Sequence, residues 1–106
     1  SYADAEGGRR AMPYISLGLF SAILQMSVNH GITHWMAVME PAQLRLLKRF
    51  GVEFDHVGPV IEYHGLRRPA FTEAASLIER IRKRRPDVWS LITDSGRFLP
   101  AKPDTD

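Results

Sequence analysis

One stretch of the sequence decides the predicted fold: His30-Gly31-Ile32-Thr33-His34-Trp35-Met36-Ala37-Val38-Met39-Glu40-Pro41. Residues 32–39 are mostly β-branched, aromatic or aliphatic, which predicts a strand with two apolar faces, as in a central strand. Gly31 can end a preceding helix because glycine adopts a positive φ at low cost. Pro41 suits the first turn of a following helix. The stretch therefore predicts a helix, a strand and a second helix joined by short connections.

Amphipathic patterns lie on both sides of this stretch. Apolar residues recur at helical spacing over residues 17–30, behind Ser16 as an N-cap, and predict the first helix. The second helix runs from Pro41 to a stop at Gly51, and its apolar face is formed by Leu44, Leu47 and Phe50. A long apolar strand between them needs a neighbour on each side, because an exposed apolar edge favours aggregation. An upstream half or a partner chain would supply the missing neighbour.

The second half of the chain predicts strands and a last helix. Residues 52–56 and 60–63 are expected to form a hairpin or bulged pair, and residues 65–69 a loop. Thr72 is placed to cap a helix that Pro86 stops, and its apolar face is formed by Ala74, Leu77, Ile78 and Ile81. Residues 88–92 predict one more helical turn. The predicted fold class is α/β (α+β), with a flexible entry at 1–13, one domain at 14–98 and a tail at 99–106.

Composition limits the function. With 44% hydrophobic and 25% charged residues among 106, the chain is expected to form one folded domain. The absence of cysteine excludes disulfides, thiolate metal sites and a cysteine nucleophile, and with no signal peptide or membrane span it favours the cytoplasm. A net charge of +2 does not argue for a nucleic-acid partner. The basic run 80–85 is dense enough to attract phosphates or an acidic protein, although a solvated helix face is the commoner explanation.

A few residues are candidates for chemistry. Glu40 follows the apolar strand and precedes a helix, where it either caps that helix or acts as a general base or amine-binding carboxylate. His64 ends a strand beside a glycine, where binding residues often lie, although a polar loop residue is the simpler explanation. Ser16, Leu17, Gly18 and Leu19 would form a helix N-terminus open to a phosphate, or an ordinary helix start with a packing glycine. No histidine has metal-binding spacing, and no metal or permanently bound cofactor is expected.

Several stretches together resemble the C-terminal half of a GNAT-type acyltransferase: 30–35, 37–41, 46–51, 63–67 and 85–89. The amino-acid sequences of these stretches are similar to those of the exosortase (PEP-CTERM) system-associated acyltransferases. That group resembles long-chain N-acyl amino acid synthases and, more distantly, acyl-homoserine-lactone synthases (autoinducer synthases). The resemblance covers roughly residues 14–98. It implies a mixed sheet flanked by helices, with the first helix holding the donor at Ser16 to Leu19. Phe20, Trp35, Met36, Met39 and His64 are expected to line the acyl or acceptor pocket, although such apolar residues are more often plain core.

The resemblance also implies a reaction. An N-acyltransferase would move a fatty acyl group from an acyl-carrier-protein or coenzyme A thioester, as co-substrate, to the amine of an amino acid or related acceptor. The family's general-acid tyrosine is replaced here by Leu47, and its glycine-rich pyrophosphate motif is not intact, which favours the acidic carrier protein as donor. Two alternatives remain open. One is an inactive binding or structural module that dimerises, as a homo-oligomer, through its open sheet edge. The other is a phosphate- or nucleic-acid-binding domain.

Overall fold

The computed structural model describes residues 17–103 and contains both helices and strands. A helix over residues 17–30 (α1) precedes the strand His34–Met39 (β1) and the helix Pro41–Arg49 (α2). Three strands and two helices follow: His56–Val57 (β2), Ile61–Glu62 (β3), Leu66–Glu73 (β4), Ala74–Arg84 (α3) and Pro86–Thr93 (α4). The predicted α+β class and the order helix, strand, helix are thereby confirmed. The proposed entry 1–13 and Ser16 lie outside the described residues.

The sheet is organised around β4. Within residues 17–103 the strand order is β1-β4-β2, and β3 also pairs with β4. Every one of these pairings is antiparallel, so the expected mixed sheet is not found in this part of the chain. The prediction that β1 is central is wrong for the described residues, because β1 pairs with β4 on one side only. Its second apolar face is exposed, at Met36 and Val38, and not covered by another layer.

The central strand β4 occupies a stretch that the sequence analysis assigned in part to a loop. The loop was predicted there because proline cannot donate a hydrogen bond within a ladder, so Pro69 argues against a central strand. In the structure Pro69 lies opposite Val38 of β1, and its carbonyl instead accepts a hydrogen bond from the Gly58 N–H at 2.7 Å. The Pro69 nitrogen therefore faces away from β1, and the ladder between β1 and β4 needs no N–H at this position. Long-range pairing thus overrides the local turn signal.

The hairpin expected between 52–56 and 60–63 is also wrong. His56–Val57 and Ile61–Glu62 each pair with β4 and not with one another. Both strands are short, and the expected strand residue Val52 is instead a buried loop residue, 2% exposed, in the hydrophobic core. Packing of Val52 and of the partly buried Phe54 against the core, and not strand pairing, explains the apolar character of that segment.

Two helix boundaries differ from the predicted ones. Thr72 does not cap α3, because it is a buried residue of β4, and the helix begins two positions later with Glu73 at its N-cap. Pro86 ends α3 as expected, but it also starts α4, which extends the predicted turn at 88–92 into a helix of eight residues. The predicted face of α3 is confirmed, since Ala74, Leu77, Ile78 and Ile81 are all buried.

The core lies between one face of the sheet and the helices. Trp35 packs against it from β1, and Ala70 and Thr72 of β4 are buried on the same face. The fully or nearly buried apolar side chains come from α1, α3, α4 and the loop after α2: Leu17, Leu24, Val52, Leu77, Ile78, Ile81, Val88 and Ile92. The opposite face carries exposed Met36, Val38 and Phe71. Within residues 17–103 the helices therefore cover one side of the sheet, and none of them covers the other.

Candidate functional site

Glu40 stands at the junction of β1 and α2. Its backbone is extended (φ −66°, ψ 144°), and its N–H donates to Gln43 Oε1 at 3.0 Å, which fixes the start of α2. Pro41 occupies the first helical position, as the sequence predicts. The Glu40 carboxylate is 56% exposed and lies 3.8 Å from Arg67 Nη1. Glu40 is thus the N-cap of α2, in a capping box with Gln43, as one of the two interpretations from the sequence has it, and its side chain is also reachable from solvent.

A groove runs from Glu40 along α2. Its first part is a cavity of about 500 Å³ lined by Glu40, Pro41, Ala42, Arg45, Gly65 and Leu66. Its second part is a cavity of about 360 Å³ lined by Pro41, Leu44, Arg45, Lys48, Val52, Glu53, Phe54, Val57 and Arg68. Pro41 and Arg45 line both parts, and we call the two together the α2 groove.

The α2 groove combines apolar and cationic side chains. Leu44, Phe54 and Val57 supply apolar surface, while Arg45 and Lys48 lie one turn apart on α2. Within residues 17–103 neither of these two cations makes an ion pair with a carboxylate. An amphiphilic anion is therefore the ligand class whose chemistry matches this lining. This cluster was not predicted from the sequence, although the spacing of residues 44, 45 and 48 on a predicted helix offered a signal.

His64 lies near the head of the groove, in the turn between β3 and β4. It adopts a positive φ of 52°, and its ring meets Tyr63 edge to face with centroids 4.7 Å apart. The Arg67 side chain ties this turn down by donating to the Tyr63 carbonyl at 3.0 Å. Since Gly65 lines the same cavity as Glu40, the structure brings the turn that carries His64 to the proposed carboxylate.

The predicted donor-binding residues differ in their surroundings. Ser16 lies outside the described residues, so the backbone at that end of α1 is not assigned. Leu17 is 7% exposed and belongs to the core, whereas Leu19 is 62% exposed. A Cβ added at Gly18 would meet no atom within 4 Å. Of the three described positions, Gly18 and Leu19 present an accessible surface and Leu17 packs inward.

The aromatic residues assigned to an acyl pocket pack against each other. Phe20 and Trp35 meet at right angles with ring centroids 5.7 Å apart, and Trp35 Nε1 donates to Ser27 Oγ at 2.9 Å. These contacts fix α1 on β1. Phe20, Trp35 and the half-buried Met39 line neither part of the α2 groove. These three residues therefore lie outside the α2 groove.

The basic run 80–85 is largely occupied within the chain. Four of its five cations form ion pairs: Arg80 with Asp55, Arg82 with Glu79, Arg84 with Glu53 and Arg85 with Asp87. The Arg85 guanidinium also lies over the Phe50 ring, 5.6 Å from its centroid. The run thus fastens α3 to the loop before β2 and to the end of α2. Phosphates or an acidic protein would have to compete with these carboxylates.

Asp55 is held by two partners, the Glu73 N–H and the Arg80 guanidinium. Burial by itself raises the pKa of Asp55, but the hydrogen bond from the Glu73 N–H and the Arg80 guanidinium outweigh it and hold the pKa below its ordinary value. The Glu73 nitrogen lies 2.8 Å from Asp55 Oδ2, and Arg80 Nη2 lies 2.6 Å from Oδ1. The carboxylate thereby joins the end of β4, α3 and the segment before β2.

We expect Asp55→Asn to reduce stability at pH 7 by less than about 1 kcal/mol, because ion pairs near solvent are weak. Because the pKa of Asp55 is lower in the folded state than in the unfolded state, Asp55 stabilises the fold fully at pH values above its unfolded pKa of about 3.9. This stabilisation is lost as the pH falls through the pKa of the folded state. The parent should therefore lose more stability than the variant on acidification below about pH 4. Urea unfolding at pH 7 and pH 3 measures this, with Glu62→Gln as the control. Equal losses in parent and variant would contradict the assignment.

Comparisons of the chain with protein-family models, with curated proteins and with solved structures found no match. The resemblance to acyltransferases therefore stays a prediction. Among residues 17–103, no helix has both the length and the apolar character needed to cross a membrane. The same part of the chain contains no convergent group of three histidine, aspartate or glutamate side chains that could bind a metal. The site is thus described by the α2 groove, Glu40 and the adjoining turn.

Proposed function

We propose that the protein is a cytoplasmic N-acyltransferase that moves a fatty acyl group from an acyl-carrier-protein or coenzyme A thioester to the amine of an amino acid or related acceptor. The observation that carries the proposal is the position of Glu40. Its accessible carboxylate stands where β1 ends, at the head of a groove with apolar walls and two cations. The resemblance in sequence to acyltransferases supports the same class of reaction.

The chemistry assigned to Glu40 is proton removal. The acceptor arrives as an ammonium ion, and the carboxylate takes one proton to expose the nitrogen lone pair. That nitrogen attacks the thioester carbonyl, a C–N bond forms and the C–S bond breaks. The leaving thiolate takes up the second amine proton and departs as a thiol. Arg67 Nη1 lies 3.8 Å from the Glu40 carboxylate and would help to hold the side chain at the end of β1.

The α2 groove supplies the acceptor's other contacts. An amino acid carries a carboxylate that would pair with Arg45, which lines both parts of the groove, or with Lys48. Leu44, Phe54 and Val57 would accommodate an apolar side chain or part of the acyl chain. Binding of the acceptor's carboxylate by these cations would hold the acceptor's amine beside Glu40. The reaction of the two bound substrates would then be effectively unimolecular.

An acyl-transfer assay tests the proposal. The full-length protein is incubated with acyl-carrier-protein or acyl-coenzyme A thioesters of several chain lengths and with a panel of amino acids, and products are identified by mass spectrometry. We expect an N-acyl product together with stoichiometric release of thiol. Thiol release without acylated amine would indicate hydrolysis, and neither product with any donor would contradict the proposal.

Gly18→Trp is expected to abolish donor binding while the protein stays folded. The position is exposed and a Cβ there meets no neighbour, so the added ring would occupy the surface assigned to the donor without disturbing the core. The matched control is Ala22→Trp, which adds the same bulk at an exposed position one turn farther along α1. Calorimetry with a non-hydrolysable donor analogue measures both variants. Equal affinity of Gly18→Trp and the parent would move the donor site elsewhere.

The alternative of a binding or structural module is supported by a different observation. β1 has a partner strand on one side only within residues 17–103, and its exposed face is apolar. A module of this kind would bind a partner and release no thiol from any thioester, so the same assay separates the two functions. The phosphate- or nucleic-acid-binding alternative has less support, because the basic run on which it depends is paired internally.

A further inference from the structure

The outer edge of β1 presents backbone hydrogen-bonding groups in a defined register. The Thr33 carbonyl accepts from the Ala74 N–H at 2.8 Å, so it points toward the β4 side. Polar groups of successive strand residues point to alternate sides, and hence those of Met36 and Val38 point away from β4. Pro69 agrees with this register, because it faces Val38 and has no N–H to offer. Within residues 17–103 no other strand pairs with this edge.

An apolar stripe on α1 adjoins this edge. Leu19, Ile23 and Met26 recur at helical spacing and are 62%, 50% and 54% exposed. They lie on the helix beside Phe20 and Ser27, the two residues that contact Trp35 of β1. The stripe would therefore cover one face of a strand added beside β1. On the opposite face of the sheet, the exposed Met36 (66%) would contact the same added strand.

We propose that this edge binds the same edge of a second copy of the chain, in an antiparallel two-fold register centred on Ala37. Met36 then faces Val38 of the second copy, and these two residues exchange backbone hydrogen bonds because both point outward. Trp35 faces Met39 of the second copy on the helix side. Ala37 meets its own counterpart in a pair without hydrogen bonds, where strands approach to about 4.5 Å and a small side chain fits.

The edge is complementary to itself in charge as well as in shape. Residues 34–39 carry no carboxylate, lysine or arginine, and the same register places His34 opposite Glu40 of the second copy. At each end of the paired strands an imidazole thus lies opposite the residue at which α2 begins. A register shifted by one residue would turn Met36 and Val38 toward the wrong face of the partner strand. An uncharged strand that is complementary to itself in this register favours a copy of this chain as the occupant.

The test uses molecular mass and does not depend on the proposed enzymatic activity. Sedimentation equilibrium at micromolar concentration is expected to show a dimer. Met36→Lys should raise the dissociation constant at least about tenfold, because a charge on an edge strand opposes further pairing. Phe71→Lys is the matched control, since Phe71 lies on the same open face but on the central strand, and it should dimerise like the parent. Circular dichroism verifies that both variants are folded.

Cross-linking tests the register. The sequence contains no cysteine, so Ala37→Cys introduces a single thiol per chain, and the two-fold register brings the two thiols within disulfide reach. Val38→Cys is the control, because that residue faces Met36 of the second copy and not its own counterpart. We expect rapid disulfide formation with Ala37→Cys only. A parent that stays monomeric, a dimer unaffected by Met36→Lys, or preferential cross-linking of Val38→Cys would overturn the proposal.

Discussion

Glu40→Gln is expected to lower the turnover of acyl transfer by about 10²–10⁴-fold, the range that a positioned general base contributes. The amide keeps the size of the side chain but cannot take a proton from the acceptor ammonium. Donor affinity should stay the same, because the donor is assigned to the surface of α1 around Gly18. Steady-state kinetics over a range of acceptor concentrations, together with donor calorimetry, separates these two effects.

The control for this experiment is Glu62→Gln. It makes the same chemical change on β3, in the strand that leads into the turn at His64, but Glu62 lines neither part of the α2 groove. Its turnover should match that of the parent. If Glu40→Gln also retained full turnover, the carboxylate would only help to start α2, and the base would have to be sought among other groups.

Ile81→Ala is expected to destabilise the fold by about 2–5 kcal/mol, as deletions of buried aliphatic side chains do. Ile81 is completely buried on α3 and belongs to the core between the helices and the sheet. Its truncation would leave a cavity among side chains that come from several elements. Because domains of this size are stable by only about 5–15 kcal/mol, the loss would be a large fraction of the total. Chemical unfolding followed by circular dichroism measures it.

Leu91→Ala gives the matched control for the core variant. It also shortens an aliphatic side chain on a helix, but Leu91 is 55% exposed on α4. A change of less than about 0.5 kcal/mol is expected there, as for most surface substitutions. Similar losses in the two variants would mean that Ile81 does not occupy the centre of the core.

The helices could be predicted from the sequence because their signals are local. Leu77, Ile78 and Ile81 lie within one and a half turns and bury the same face whatever the rest of the chain does. Gly31 ends α1, as predicted, and it has the positive φ (67°) that was expected at this position. The strand β1 was recognised for the same reason, since its apolar run is continuous. Its place at the edge of the sheet was not, because only pairing partners decide that.

The central strand could not be predicted because its evidence is distant in sequence. Arg68 and Pro69 have the composition of a loop, and they become strand residues only when Met39 and Val38 pair with them. Thr72 likewise has the character of a helix cap, yet it lies opposite Trp35 in the ladder. Local propensity is a weak guide where tertiary pairing supplies most of the stabilisation.

The candidate site was predicted in part. The position of Glu40 between strand and helix follows from Pro41 alone, and the structure agrees with it. The α2 groove does not follow from the sequence, since it requires α2 to face Arg68 of β4 and Val57 of β2. The expected pocket of Phe20, Trp35, Met39 and His64 stays a prediction, because apolar side chains alone do not distinguish a ligand pocket from packing between two elements.

The pairing of β1 with β4 has a consequence for how the chain folds. The first contacts of this ladder, between Met39 and Arg68, require the whole intervening segment with α2, β2 and β3 to close into a loop. The neighbouring helices α3 and α4 need no such closure, because they are joined by the single residue Arg85. Closing a long loop costs chain entropy before any contact rewards it. The helical hairpin is therefore expected to assemble early and to provide the surface on which the sheet later closes, so that the last native contacts to form are those that build the α2 groove.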